Sequence, residues 1–152
     1  MARMNYLSAS PDGTKALAAV HSYIKQCGLS PVLIDLVYLR ISLINRCAYC
    51  IDTHTRDLLK AGVPQEKITL VPVWPEGGAF FDARERAAFA WAETVTRVAE
   101  TNVPEADYNA ARAVFNEKEL ADLTIAIGLM NAYNRLAISF RSTPPSAKHV
   151  KA

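Results

Sequence analysis

Apolar side chains recur at steps of three and four along most of this chain, and the punctuation between them predicts helices and no strand. Leu17, Val20, His21, Ile24 and Cys27 share one face of a helix over residues 12–26, which Gly28 stops. Ser30-Pro31 supplies an N-cap and a proline at the first helical position for a second helix, ending near Ile44 or Asn45. A third begins between Arg46 and Ala48 and ends before Gly62, and Pro64 opens a short one through Leu70. Val71 to Phe81, with two prolines and Gly77-Gly78, reads as the one substantial loop. Asp82 with Glu85 forms a capping box for a helix through Glu100. Pro104 opens another to about Phe115, and Asn116 with Glu119 caps a last helix to about Phe140. The tail from Ser142 to Ala152 is expected to fray. The expected fold is all-α: one domain over residues 1–152, a bundle of six to seven helices with its core over about residues 30–140.

Two helices depart from plain amphipathicity. Between Asp122 and Arg135 there is no charge, and apolar residues occur around the whole circumference. The stretch is shorter than the roughly 20 apolar residues a bilayer span needs. A helix apolar all round is buried on all sides, so a second subunit is expected to supply part of the cover, making a homo-oligomer. Asn131, Asn134 and Arg135 on this helix need polar partners, and subunit contacts are their expected use. On the second helix, Asp35, Tyr38, Ser42 and Asn45 form a polar stripe. Tyr38 is expected on a solvated face, and Asp35 either there or beside a site.

Composition narrows the class. A 152-residue chain that is 51% hydrophobic and 21% charged can bury a core. Seventeen basic against fifteen acidic residues give a net charge of +2, and neither sign forms a run, so no footprint for nucleic acid or an anionic membrane is expected. Met1 to Tyr6 contains no apolar secretory core, and three cysteines do not make a secreted disulfide framework. A cytoplasmic setting is expected, where thiols rest reduced.

There, Cys47-Ala48-Tyr49-Cys50 followed by His54 becomes the chemical signal. On one helix face, Cys50 would meet both a disulfide partner and a base. A thiol peroxidase needs a thiolate to attack the peroxide and a second thiol to trap the sulfenic acid. Cys50, with a helix N-terminus and His54 nearby, is expected to attack and Cys47 to resolve. Asp35 could pass protons to His54. The plainer readings are two small core residues, or zinc held by Cys47, Cys50 and His54. A fourth zinc ligand would have to come from Cys27, His21 or His149, none in ligand-like spacing.

Asp35-Leu36-Val37, Leu39-Arg40, Ser42, Asn45 and Cys47-Ala48-Tyr49-Cys50-Ile51-Asp52 with His54 resemble the alkylhydroperoxidase D-like branch of the carboxymuconolactone decarboxylase family. Glu85-Arg86-Ala87-Ala88, Ala90-Trp91, Glu93, and Asn131 with Asn134-Arg135-Leu136 continue the resemblance. It implies an all-helical fold, trimers or hexamers, and reduction of an organic hydroperoxide by a dithiol with no metal or organic cofactor. It also implies an external dithiol reductant of lipoyl-protein or thioredoxin type. By resemblance Cys50 is peroxidatic, Cys47 resolving and His54 part of a proton relay. Asp35 takes the place of a family glutamate, a shorter carboxylate that is expected to reach through a water. Tyr49 stands where the prototype has a further histidine. The family's decarboxylases lack the paired cysteines, which favours a peroxidase here. The other readings are a lactone decarboxylase or related acid–base enzyme using His54 and Asp35, and a redox-sensing or zinc-binding helical module without activity.

Overall fold

The helices form in the predicted order around one that is buried on nearly every side. The computed structural model describes residues 2–149, the last two by their backbone alone; Val150 to Ala152 lie outside the described residues. Nine α-helices and no strand are found among the described residues. They are α1 (Tyr6–Ala9), α2 (Pro11–Ile24), α3 (Pro31–Ile44), α4 (Ala48–Lys60), α5 (Gln65–Leu70), α6 (Ala83–Thr96), α7 (Val98–Thr101), α8 (Glu105–Arg112) and α9 (Glu117–Ser139). The seven expected helices are present, and the four-residue α1 and α7 are additional.

The start signals act as read. Ser30 Oγ accepts the Leu33 N–H, and both predicted capping boxes, Asp82 with Glu85 and Asn116 with Glu119, close in both directions. Helix α6 stops at Thr96, short of Glu100, because Arg97 leaves helical geometry before α7 resumes. The expected loop from Val71 to Phe81 consists largely of 3-10 turns, Val71–Glu76 and Gly78–Phe80. Pro72 and Pro75 lack the N–H groups an α-ladder needs. Arg86 then organises the segment, donating to the carbonyls of Pro75, Gly78 and Phe81 at 3.3, 2.6 and 3.1 Å.

Helix α3 packs against α4, α6 and α9. Val37, Tyr38 and Ile41 enter one apolar cluster with α6, α8 and α9, while Leu36 and Leu39 enter a second with Leu58, Val71, Phe81 and Phe89. Burial of each such aliphatic side chain contributes about 1.5–3 kcal/mol. Tyr38 is therefore not on a solvated face: it is 1% exposed. Nor is the described part of the tail loose. Pro145–His149 forms a 3-10 turn, and Ser146 donates its N–H and hydroxyl to the Asp52 carboxylate on α4. At the other terminus the Arg3 N–H bonds the Phe140 carbonyl at 2.8 Å, and Tyr6 stacks on Phe140.

The uncharged part of α9 is mostly covered within the chain, with Leu123, Ala126, Ile127, Leu129 and Met130 buried; Ile125, 45% exposed, is not. No helix among the described residues is long and apolar enough to cross a membrane.

Arg86→Met is expected to cost about 1.5–3 kcal/mol, the value of hydrogen bonds to a charged group. Hydrogen exchange should accelerate at residues 75–81 while α3 and α9 stay protected.

Candidate active site

Cys47 is where one helix ends and the next begins. Arg46 takes a left-handed conformation (φ 59°), the Arg46 N–H bonds the Leu43 carbonyl at 3.2 Å, and the Cys47 N–H bonds the Ser42 carbonyl at 2.9 Å. This is a Schellman closure of α3 with arginine where glycine is usual. Cys47 then caps α4: its backbone is extended and its Sγ accepts the Cys50 N–H at 3.4 Å. Cys47 thus lies just outside the helix, not on the helical face the spacing suggested, and its sulfur folds over the first turn beside Cys50.

Both sulfurs are buried, and their surroundings are unequal. The Cys50 S–H donates to Cys47, the N–H groups of Cys50 and Tyr49 point at it, and the Asn134 amide adds to them. Together these outweigh burial and hold the Cys47 thiol down to about 7. Cys50 is pushed far up, first because its proton is committed to Cys47, then by burial and by the Cys47 charge. Of the two, Cys47 is the thiol whose ionised form its surroundings favour, and the Cys50 N–H donated to its sulfur is part of the cause.

Asn134, expected at a subunit contact, is fully buried inside this chain. It donates to Ser42 Oγ at 3.1 Å and accepts from Asn45 Nδ2 at 2.9 Å. Asn131 likewise accepts from Asn45, at 3.0 Å, and from Arg135. Helix α9 therefore anchors the α3–α4 corner through amides and holds one of them against the thiols.

One turn beyond Cys50, His54 is 7% exposed, and its Nδ1 meets Asp35 Oδ1 at 3.1 Å. A carboxylate there calls for the proton on Nδ1 and leaves Nε2 as the base. Asp35 reaches directly, without the water expected from its short side chain, because α3 and α4 pack closely. The Tyr38 ring lies 5.1 Å from the imidazole.

The thiols face different spaces. Cys50 and His54 line a cavity of about 390 Å³ with Tyr6, His21, Met130 and Tyr133. Cys47 lines a separate groove with Arg46, Tyr49, Arg141 and Pro144. His21 is a site residue that its place on the apolar side of α2 did not reveal. It shares both this cavity and a second one, with Asp35 and Tyr38, and burial pushes it below its ordinary pKa. Trp74 donates to Glu93 at 2.6 Å and packs on Phe89, in the other apolar cluster, away from this cavity's lining. Among the described residues, the convergent metal-ligand group contains neither thiol, so zinc on Cys47, Cys50 and His54 is not the arrangement found. The His149 side chain lies outside the described residues.

Titrating the reduced protein should show thiolate absorbance rising with a midpoint of about 7. Iodoacetamide at neutral pH should label Cys47 before Cys50. Cys47→Ser should abolish the low step, and Asn134→Leu should move it upward.

The profile of the Carboxymuconolactone decarboxylase family matches residues 11–94, from α2 into α6. The uncharacterized protein YdfG of Bacillus subtilis (strain 168) is 31% identical over 137 residues, 90% of this chain and 92% of its own. A crystal structure from Agrobacterium tumefaciens, described as of unknown function and as a candidate antioxidant defence protein, AhpD, superposes with a TM-score of 0.91. It is 39% identical and covers 95% of this chain and 99% of its own. The debrominase Bmp8, 16% identical with a TM-score of 0.80 over 94% of this chain and 76% of its own, shares the fold. On the family profile, which spans more than half of its length, the chain belongs to the carboxymuconolactone decarboxylase family.

Proposed function

We propose that this protein is a thiol-dependent peroxidase that reduces organic hydroperoxides through a Cys47–Cys50 disulfide, in antioxidant defence. The observation that carries the reading is the placing of the thiols: Cys50 opens with His54 into the cavity of about 390 Å³, while Cys47 caps the same helix, its sulfur accepting the Cys50 N–H, and faces another groove. The likeness to the Agrobacterium protein supports the antioxidant direction.

The cycle follows from the protons. Cys50 rests neutral, so its attack on the terminal peroxide oxygen requires a base, and His54 Nε2 accepts the proton. The Cys50 S–O bond forms as O–O breaks, and the leaving alkoxide takes that proton back from His54 as alcohol. Asp35, bonded to Nδ1, stabilises the transient imidazolium. Cys47, already ionised, then attacks the Cys50 sulfenic sulfur; the S–S bond forms and hydroxide leaves, becoming water with a solvent proton. Two thiols are oxidised and one peroxide reduced. An external dithiol of lipoyl-protein or thioredoxin type restores the pair, entering by the Cys47 groove, which keeps it clear of the peroxide cavity. The active form is a cytoplasmic homo-oligomer, a trimer or hexamer.

Cys50→Ser should abolish peroxide consumption. Cys47→Ser should halt after one turnover with a Cys50 sulfenic acid visible by mass spectrometry. His54→Ala should slow turnover by about 10²–10⁴-fold, the range for lost general acid–base catalysis. A Cys50→Ser protein that consumes peroxide as fast as the parent would overturn the proposal.

A further inference from the structure

The geometry points to a divalent transition-metal site at Asp35, His54 and Asp57, of zinc-like preference, which switches off the proton relay when filled. His54 and Asp57 lie three residues apart on α4, and Asp35 comes from the facing side of α3. One ligand atom from each lies within 4.8 Å of the others. Zinc bonds nitrogen and carboxylate oxygen at about 2.0–2.2 Å, so two tetrahedral ligands stand roughly 3.3 Å apart. Nδ1 of His54 and Oδ1 of Asp35 are 3.1 Å apart, so a cation replacing their shared proton needs little movement. Two carboxylates and a neutral imidazole also balance a divalent charge. Mixed nitrogen and oxygen donors without a thiolate suit zinc, cobalt or manganese better than copper(I).

A second observation is independent of these charges. The Tyr38 hydroxyl is buried and has no hydrogen-bond partner among the described residues. Tyr38 lines the cavity of about 450 Å³ that Asp35, His54 and Asp57 also line. An unsatisfied buried hydroxyl is destabilising, and a water bound to a cation at this site would satisfy it. The nearby ammonium groups compete weakly. Lys60 is 3.7 Å from Asp57 with its side chain 71% exposed, and such pairs contribute little. Lys25, also on the cavity wall, is exposed and can turn its charge to solvent.

With a metal on Nδ1, the imidazole proton moves to Nε2, and His54 can no longer accept the Cys50 proton. The binding stands without the peroxidase reading; the inhibition rests on it. The test is calorimetry of Zn²⁺ and Co²⁺ with the Cys27→Ser, Cys47→Ser, Cys50→Ser protein, in which all three thiols are gone. One equivalent should bind, and Co²⁺ should show visible bands without thiolate charge transfer. Asp57→Asn, which leaves the His54–Asp35 pair intact, should weaken binding at least as much as loss of an outer-shell partner, about 10–100-fold. In the parent protein, zinc should slow peroxide reduction, and Asp57→Asn should resist at the same concentration. No saturable binding to the cysteine-free variant, or equal affinity in Asp57→Asn, overturns the site. Binding without inhibition overturns the switch alone, and binding to a protein that consumes no peroxide overturns the peroxidase reading alone.

Discussion

A helix has to begin against an acceptor for its orphan N–H groups, and in α4 that acceptor is a thiol. Cys47 Sγ receives the Cys50 N–H while the Cys47 N–H is still closing α3 on Ser42. One residue therefore ends one helix, starts the next and presents its sulfur to the helix N–H. The corner it makes is tight, and Arg46 sits in a left-handed conformation to make it, at a cost on the order of 1–3 kcal/mol. What offsets that cost is the packing of α3 against α4 and α9 and the amide contacts that seal the corner.

Those amides explain why a nominally apolar helix keeps asparagines. Asn134 is buried completely, so each of its polar atoms must be satisfied, and Ser42, Asn45 and the Met130 sulfur do so. The same side chain helps to hold the Cys47 thiolate. Fold and reactivity are thus coupled: moving α9 relative to α3 would strand a buried amide and raise the thiol together.

The local features were legible, and the long-range ones were not. Capping boxes at Asp82 and Asn116, the proline start of α3 and the single turn from Cys50 to His54 are written within a few residues of sequence, and each appears where expected. Tyr38 looked solvated because its neighbours on the stripe are polar; it is buried because α3 is surrounded, which no single-helix pattern can show. Arg86 organises residues 75–81 from a different element, and Asn134 partners Ser42 across 92 residues. Which thiol the helix start favours as thiolate depends on a finer detail. A start between Arg46 and Ala48 leaves open whether Cys47 is in the helix or caps it, and only a cap receives the N–H.

His54 is where these strands meet, because it borders two cavities. On one side it shares a wall with Cys50; on the other, with Asp35, Tyr38 and Asp57. Of the two ring nitrogens, Nδ1 is held by Asp35, which leaves Nε2 without that partner. Whatever binds on the Asp35 side acts on the state of Nε2 without touching a sulfur, since protonation or ligation of one imidazole nitrogen fixes the other. A base placed in this way can be controlled from behind, by a group that never enters the peroxide cavity. A lone cysteine–histidine pair, open to one cavity only, would have no such second face.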